Sequence, residues 1–176
     1  MKSLTSKPSL GFSEAVKLSL SKLTCFEGRS RRSEFWWFML AFVIASSILN
    51  FIVGMILPEL AVMIINFLFW GLALGVTSRR LQDRGVNKLW VIISWLASIA
   101  VSIYSYTSGI TAMAASVNPD IEVIIEALKN PVFMILNLIN IISGIAVIIF
   151  CMLDGTAETN KYGESPKYIV EDDKQE

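Results

Sequence analysis

Histidine is absent from all 176 residues, and cysteine occurs only at Cys25 and Cys151. The first absence removes the side chain that most often serves as general base near neutral pH or as zinc ligand. The second leaves no cysteine framework, and each cysteine falls just beside the end of an apolar segment, where small apolar filling is the expected role. Charge is missing in a more telling way. From Phe35 to Ser78 the only charged residue is Glu59, and from Asn130 to Leu153 there is none. There is also no nucleophile elbow, no zinc-ligand spacing and no repeat of 20 to 50 residues, so no catalytic residue, metal or cofactor is expected and the chain reads as a non-enzyme.

What is present is apolar. With 54% hydrophobic residues and a mean hydropathy of +0.59, the chain exceeds the apolar share of ordinary soluble domains, about 45 to 50% with glycine included. A helix rises about 1.5 Å per residue through a hydrocarbon layer of about 30 Å, so a span needs about 20 residues. Four segments qualify: residues 35–57, 60–78, 89–107 and 131–153, none with Asp, Glu, Lys or Arg. The expected fold is all-α and polytopic, one membrane domain over residues 12–166 between an N-terminal tail, 1–11, and an acidic tail, 167–176, expected to be disordered. Met1 to Cys25 carries scattered lysines and no apolar core of a cleavable signal, so the first span is expected to remain as an anchor.

The net charge is zero, from 15 basic and 15 acidic residues, but the charges are segregated. Lys17, Lys22, Arg29, Arg31, Arg32, Arg79, Arg80, Arg84, Lys88, Lys161 and Lys167 flank spans on the side that carries both termini, and Lys129 alone flanks the other. Cytoplasmic flanks are enriched in Lys and Arg, so both termini are expected in the cytoplasm. Trp36, Trp37 and Trp90 fall at the cytoplasmic level and Tyr104 and Tyr106 at the far one, as interfacial aromatic belts require.

The two-residue turn Pro58-Glu59 forces spans one and two into a tight hairpin. Gly71 and Gly75 in span two form a small-residue groove for close approach of another helix, within the chain or in a dimer. Asn50, Asn66, Asn137 and Asn140 lie inside spans, either as interhelical glue or as a polar path. Phe12, Val16, Leu20 and Leu23 recur at helical spacing, which predicts an amphipathic helix on the cytoplasmic surface, resting on lipid or on the bundle. In the outer loop Asn118-Pro119-Asp120 predicts a helix start, followed by the apolar stripe Ile121, Ile124, Ile125 and Leu128 on the outer interface.

Three polar clusters converge on the cytoplasmic side. They contain Gly28-Arg29 followed by Arg32, Glu34 and Trp36; Arg79-Arg80-Leu81 with Asp83 and Gly85; and Asn160 with Tyr162-Gly163 and Pro166. With the four spans, these make residues 12–166 resemble the bacterial domain of unknown function 805 family. The resemblance implies a small inner-membrane protein with no established activity. Similar proteins usually carry histidine where this chain has Gln82, and a Ser-Gly-Trp-type entry where it has Asn87-Lys88-Leu89-Trp90, so any titratable role at position 82 is lost.

Asp83 stands at the negative end of a helix dipole and needs a cation, which predicts a bond from Arg29 or Arg32 that ties the N-terminal segment to the loop after span two. Glu34 is favoured in its own first turn and is expected to hold Arg79, Arg80 or Arg84. Gly85 is the expected left-handed cap of span two and Asn87 the N-cap of span three. Topology signal with internal salt bridges, an anionic-lipid site and a protein dock all fit this cluster. The function expected is non-catalytic binding of anionic lipid or a membrane partner through Arg29, Arg32, Arg79, Arg80 and Arg84. The alternative is a small oligomeric transporter or channel subunit, possible partners being a second copy or another membrane protein, with no nucleic acid.

Overall fold

The computed structural model describes residues 3–114, 116 and 120–171. The elements run β1 (Ser3–Ser6), α1 (Phe12–Ser21), α2 (Arg32–Ile56), α3 (Glu59–Gly71), α4 (Leu74–Asp83), α5 (Leu89–Thr107), α6 (Ile110–Ala114), α7 (Ile121–Leu128), α8 (Pro131–Met152) and β2 (Tyr168–Glu171). Among the described residues, four helical units are long and apolar enough to cross a membrane: α2 with 25 residues, α3 and α4 together with 25, α5 with 19 and α8 with 22. The fold is all-α and polytopic, as its composition requires.

Span two reaches beyond the residues its apolar run marks. It continues from Ser78 through Arg79, Arg80 and Asp83, after one tight turn in which the Leu72 and Ala73 N–H groups bond back to Phe69 and Trp70 at 3.0 and 3.1 Å. The absence of charge ended the predicted span at 78; the helix itself goes on because those charges find partners inside the protein. It stops where a glycine permits. Gly85 takes φ +76°, its N–H bonds to Gln82 O at 2.9 Å and that of Val86 to Leu81 O at 3.1 Å, a Schellman cap. The N-cap of α5 is Lys88 rather than the expected Asn87, which stands one residue earlier and accepts the Leu89 N–H at 3.0 Å. Asn130 caps α8, accepting the Val132 N–H at 2.9 Å ahead of Pro131.

Span one likewise begins three residues early, at Arg32. The outer-loop start at Asn118 and Pro119 lies outside the described residues, and Asp120 accepts the Glu122 N–H at 3.1 Å just ahead of α7. Ile121, Ile125 and Leu128 of its stripe are exposed. α6 was not expected. The two ends of the chain are a second difference: β1 and β2 pair antiparallel with Ser3 opposite Glu171, so residues 168–171 of the presumed disordered tail are a strand. Thr5, Ile169 and their neighbours alternate too briefly to register as periodicity, and the partner strand lies at the other end of the sequence. Residues 172–176 lie outside the described ones.

The buried apolar core is small and sits toward the end of the bundle that carries the termini, built from Phe35, Phe38, Phe42, Ala73, Val76, Leu81, Val91 and Cys151. Phe42 anchors it, stacking on Phe69 at 4.6 Å and meeting Trp70 edge-on at 5.2 Å. α1 packs on α2 through its small face, Ala15 and Ser19, with Phe12 edge-on to Trp37 at 5.8 Å. Of the two resting places open to it, α1 takes the bundle, and Phe12 and Leu20 remain exposed.

Candidate functional site

Three arginines are buried side by side where α2 begins, α4 ends and α8 ends, and each is held by a different set of acceptors. Arg29, in the turn before α2, donates through Nε to Asp83 Oδ1 at 2.8 Å, through Nη1 to the carbonyls of Glu158 and Gly163 at 2.8 and 3.2 Å, and through Nη2 to the carbonyl of Thr156. Arg80 donates through Nη1 to Asp83 Oδ2 at 2.6 Å and Ser30 O at 3.2 Å, through Nε to Cys151 O at 3.1 Å, and through Nη2 to Leu153 O. Arg79 donates to Lys22 O and Cys25 O, both at 2.6 Å, and pairs with Glu34 at 3.4 Å. Arg79 is 2% exposed, Asp83 2%, Arg80 and Gln82 0%.

The physical logic is that of helix ends. The last carbonyls of a helix have no partner in their own helix and carry the negative end of its dipole. Arg80 fills that need for the end of α8 through the Cys151 and Leu153 carbonyls, and Arg79 does so past the end of α1 through Lys22 and Cys25. The segment after α8 returns the favour to α4: the Thr156 N–H donates to Asp83 O at 3.0 Å and Asn160 Nδ2 to Gln82 O at 3.0 Å. Guanidinium suits this work because it offers five fixed N–H donors and cannot shed its charge. Asp83 and Glu34 balance two of the three charges, and the carbonyls solvate the remainder.

Two glycines make the closeness possible. A Cβ on Gly155 would lie 1.8 Å from Asp83 Oδ2, and one on Gly75 2.4 Å from the Leu23 carbonyl. Gly163, at φ +120°, turns the chain so that its carbonyl meets Arg29, in a loop where Asn160 accepts the Tyr162 N–H at 2.8 Å.

The expected residues therefore divide. Arg29, Glu34, Arg79, Arg80, Asp83 and Asn160 come together in this knot, with Asp83 shared by Arg29 and Arg80 rather than gripped by one arginine, and with Arg79 as the partner of Glu34. Tyr162 joins through its backbone, its ring lying 5.0 Å from the Lys161 ammonium. Arg32 and Arg84 stand apart on the surface. Arg32 pairs with Asp154 at 3.4 Å, Lys167 with the same carboxylate at 3.3 Å, and Arg84 donates to the Asp154 carbonyl at 2.7 Å. Side chains of Arg32 and Asp154 are 50% and 51% exposed. Partial burial alone would raise the Asp154 pKa, but Lys167 and then Arg32 outweigh it and hold the carboxyl below its ordinary value. Lys167 is held above its own by a bond with Tyr168 and, against some desolvation, by Asp154.

Gly71 faces Trp95, to which a Cβ would come within 3.7 Å, whereas Gly75 faces the N-terminal segment rather than a span. The amides act in pairs within the bundle: Asn66 Nδ2 donates to Asn50 Oδ1 at 2.6 Å and Ser98 Oγ to Asn140 Oδ1 at 2.8 Å, while Asn137 bonds to Phe133 O of its own helix at 2.9 Å. Sequence reasoning missed Ser30, Cys151, Leu153 and Glu158, which contribute backbone carbonyls that no side chain advertises, and Thr156, whose carbonyl and hydroxyl both accept from Arg29. Gly155 was the one available signal, a glycine directly after a span end.

No curated protein and no solved structure matches the chain. The model of a family described as protein of unknown function (DUF805) matches residues 23–164, a stretch that holds the whole knot from Arg29 to Gly163, and the chain belongs to that family.

Proposed function

We propose that this is a non-catalytic protein of the bacterial inner membrane, both termini in the cytoplasm, that binds anionic phospholipid headgroups. The observation that carries the reading is the convergence of Arg32, Arg84 and Lys167 on the single half-exposed Asp154, Arg32 and Lys167 on its carboxylate and Arg84 on its backbone carbonyl. Juxtamembrane cations each contribute about 1 kcal/mol toward an acidic leaflet. Arg29, Arg79 and Arg80 drop out of the expected binding set, because they are buried and bond to carbonyls and carboxylates within the fold, with the buried Arg79 Nε–H left without a partner among the described residues. The pairing of Asp83 and Glu34 supports a non-catalytic role, since these buried carboxylates are already engaged with arginines and are not presented to a substrate. The amides of the spans are engaged in helix contacts, which withdraws the motive for a polar transport path.

Lipid analysis of the purified protein tests this. Phosphatidylglycerol or cardiolipin should be enriched over the source membrane, and the enrichment should vanish in the double variant Arg32→Gln, Arg84→Gln at unchanged melting temperature. Equal headgroup ratios in protein and membrane would refute it.

A further inference from the structure

The four spans do not close on one another. α5 and α8 pack along their lengths, but α2 leans on α8 at few points, and between them lies a cavity of about 610 Å³. Its walls include Trp36, Leu40 and Val43 of α2, Trp95 of α5, and Gly144 and Ile148 of α8. Trp36, Leu40, Val43 and Ile148 are also exposed, so the space opens sideways, toward the bilayer.

Three observations say what fills it. Apolar walls hold water poorly, and an empty space forfeits the dispersion contacts of every atom that lines it; in the hydrocarbon layer the medium at hand is acyl chains. Next, Arg32, Trp36, Leu40 and Val43 follow one another at helical spacing on one face of α2, and the Arg32–Asp154 pair joins α2 to the end of α8 at the cytoplasmic mouth of the gap. Last, the eleven steps from Arg32 to Val43 rise roughly 16 Å, about half of a 30 Å hydrocarbon layer and so the depth of one leaflet.

We propose that the groove between α2 and α8 binds one acyl chain of a phospholipid from the cytoplasmic leaflet, laid along Trp36, Leu40 and Val43, with its phosphate on Arg32 in place of Asp154. This rests on the headgroup reading above and adds a defined chain site to it.

Native mass spectrometry of the full chain, delipidated and then titrated with phosphatidylglycerol or phosphatidylethanolamine, separates the two. Gly144→Leu fills the groove from α8, where a Cβ meets only Ser94 Oγ at 3.8 Å; Val43→Phe fills it from α2, in case the first variant misfolds. Both should weaken binding of either lipid about tenfold while the residual preference for phosphatidylglycerol persists. Arg32→Gln should remove the preference and keep the chain-dependent binding. Undiminished binding in the folded filling variants overturns the groove and leaves the headgroup reading intact. Preference retained in Arg32→Gln overturns the placing of the phosphate on Arg32, and preference retained also in Arg32→Gln, Arg84→Gln overturns the headgroup reading, while the groove stands on the filling variants. Efficient cross-linking of Ile148→Cys between copies in membranes, with Cys25 and Cys151 replaced, would show a second copy in the groove and overturn the lipid assignment.

Discussion

At the end of the bundle that carries both termini, side chains and returning chain segments close around three guanidinium groups; at the opposite end Phe51, Met55 and Ile56 of α2 are 71%, 74% and 74% exposed. The first region is organised like the interior of a soluble protein, with aromatic stacking, paired charges and glycines at the tightest contacts. The second relies on the bilayer to cover it. Stability should therefore be concentrated in the knot, and substitutions should separate the two regions sharply.

The largest effect is expected at Asp83, whose carboxylate serves two buried arginines. Asp83→Asn leaves Arg29 and Arg80 short of a counter-charge, a loss of about 3 to 5 kcal/mol in unfolding by detergent titration, whereas Phe51→Ala should change stability by less than about 0.5 kcal/mol. Comparable losses at the two sites would erase the contrast. Next come the glycines. Gly75→Ala pushes a methyl group into the Leu23 carbonyl, which should cost about 1 to 3 kcal/mol and loosen α1, seen as faster amide exchange there; a neutral Gly75→Ala would mean that the N-terminal segment is not clamped.

Within the membrane the interactions are weaker. Asn66→Leu breaks the bond with Asn50 and should cost about 0.6 to 1.7 kcal/mol, with no gain or loss of solute flux in proteoliposomes. A change in flux would restore the transport reading. The smallest effect belongs to the exposed cation cluster. Asp154 has a lowered pKa in the folded protein, so its contribution is present above the unfolded carboxyl value near 3.9 and fades as pH falls through the lower folded value. Its exposure keeps the effect small. A shallow loss of melting temperature below pH 4 that disappears in Asp154→Asn is the expected signature, and an identical slope in the variant would assign the loss elsewhere.

Much of this contrast was legible in the sequence. Four apolar runs gave the spans, Gly85 and Asn87 the punctuation after span two, and the need of Asp83 for a cation its bond to Arg29. What stayed hidden shares one cause: it depends on backbone carbonyls or on contacts between distant segments. Ser30, Cys151 and Leu153 hold Arg80 through atoms every residue possesses, so nothing in their identity marks them. The charge rule that located the spans stops at Ser78, whereas the helix runs on to Asp83 ahead of the Gly85 cap, because carbonyls rather than water solvate Arg79 and Arg80. The pairing of β1 with β2 joins the chain ends, beyond the reach of any local periodicity.

Five of the six arginines divide into three that hold the fold and two that face outward. Arginine-selective labelling of the folded protein with phenylglyoxal, read residue by residue by mass spectrometry, tests that division most directly. Arg32 and Arg84 should react readily and Arg29, Arg79 and Arg80 only after unfolding. Labelling of Arg79 or Arg80 in the folded protein as fast as that of Arg32 would contradict it.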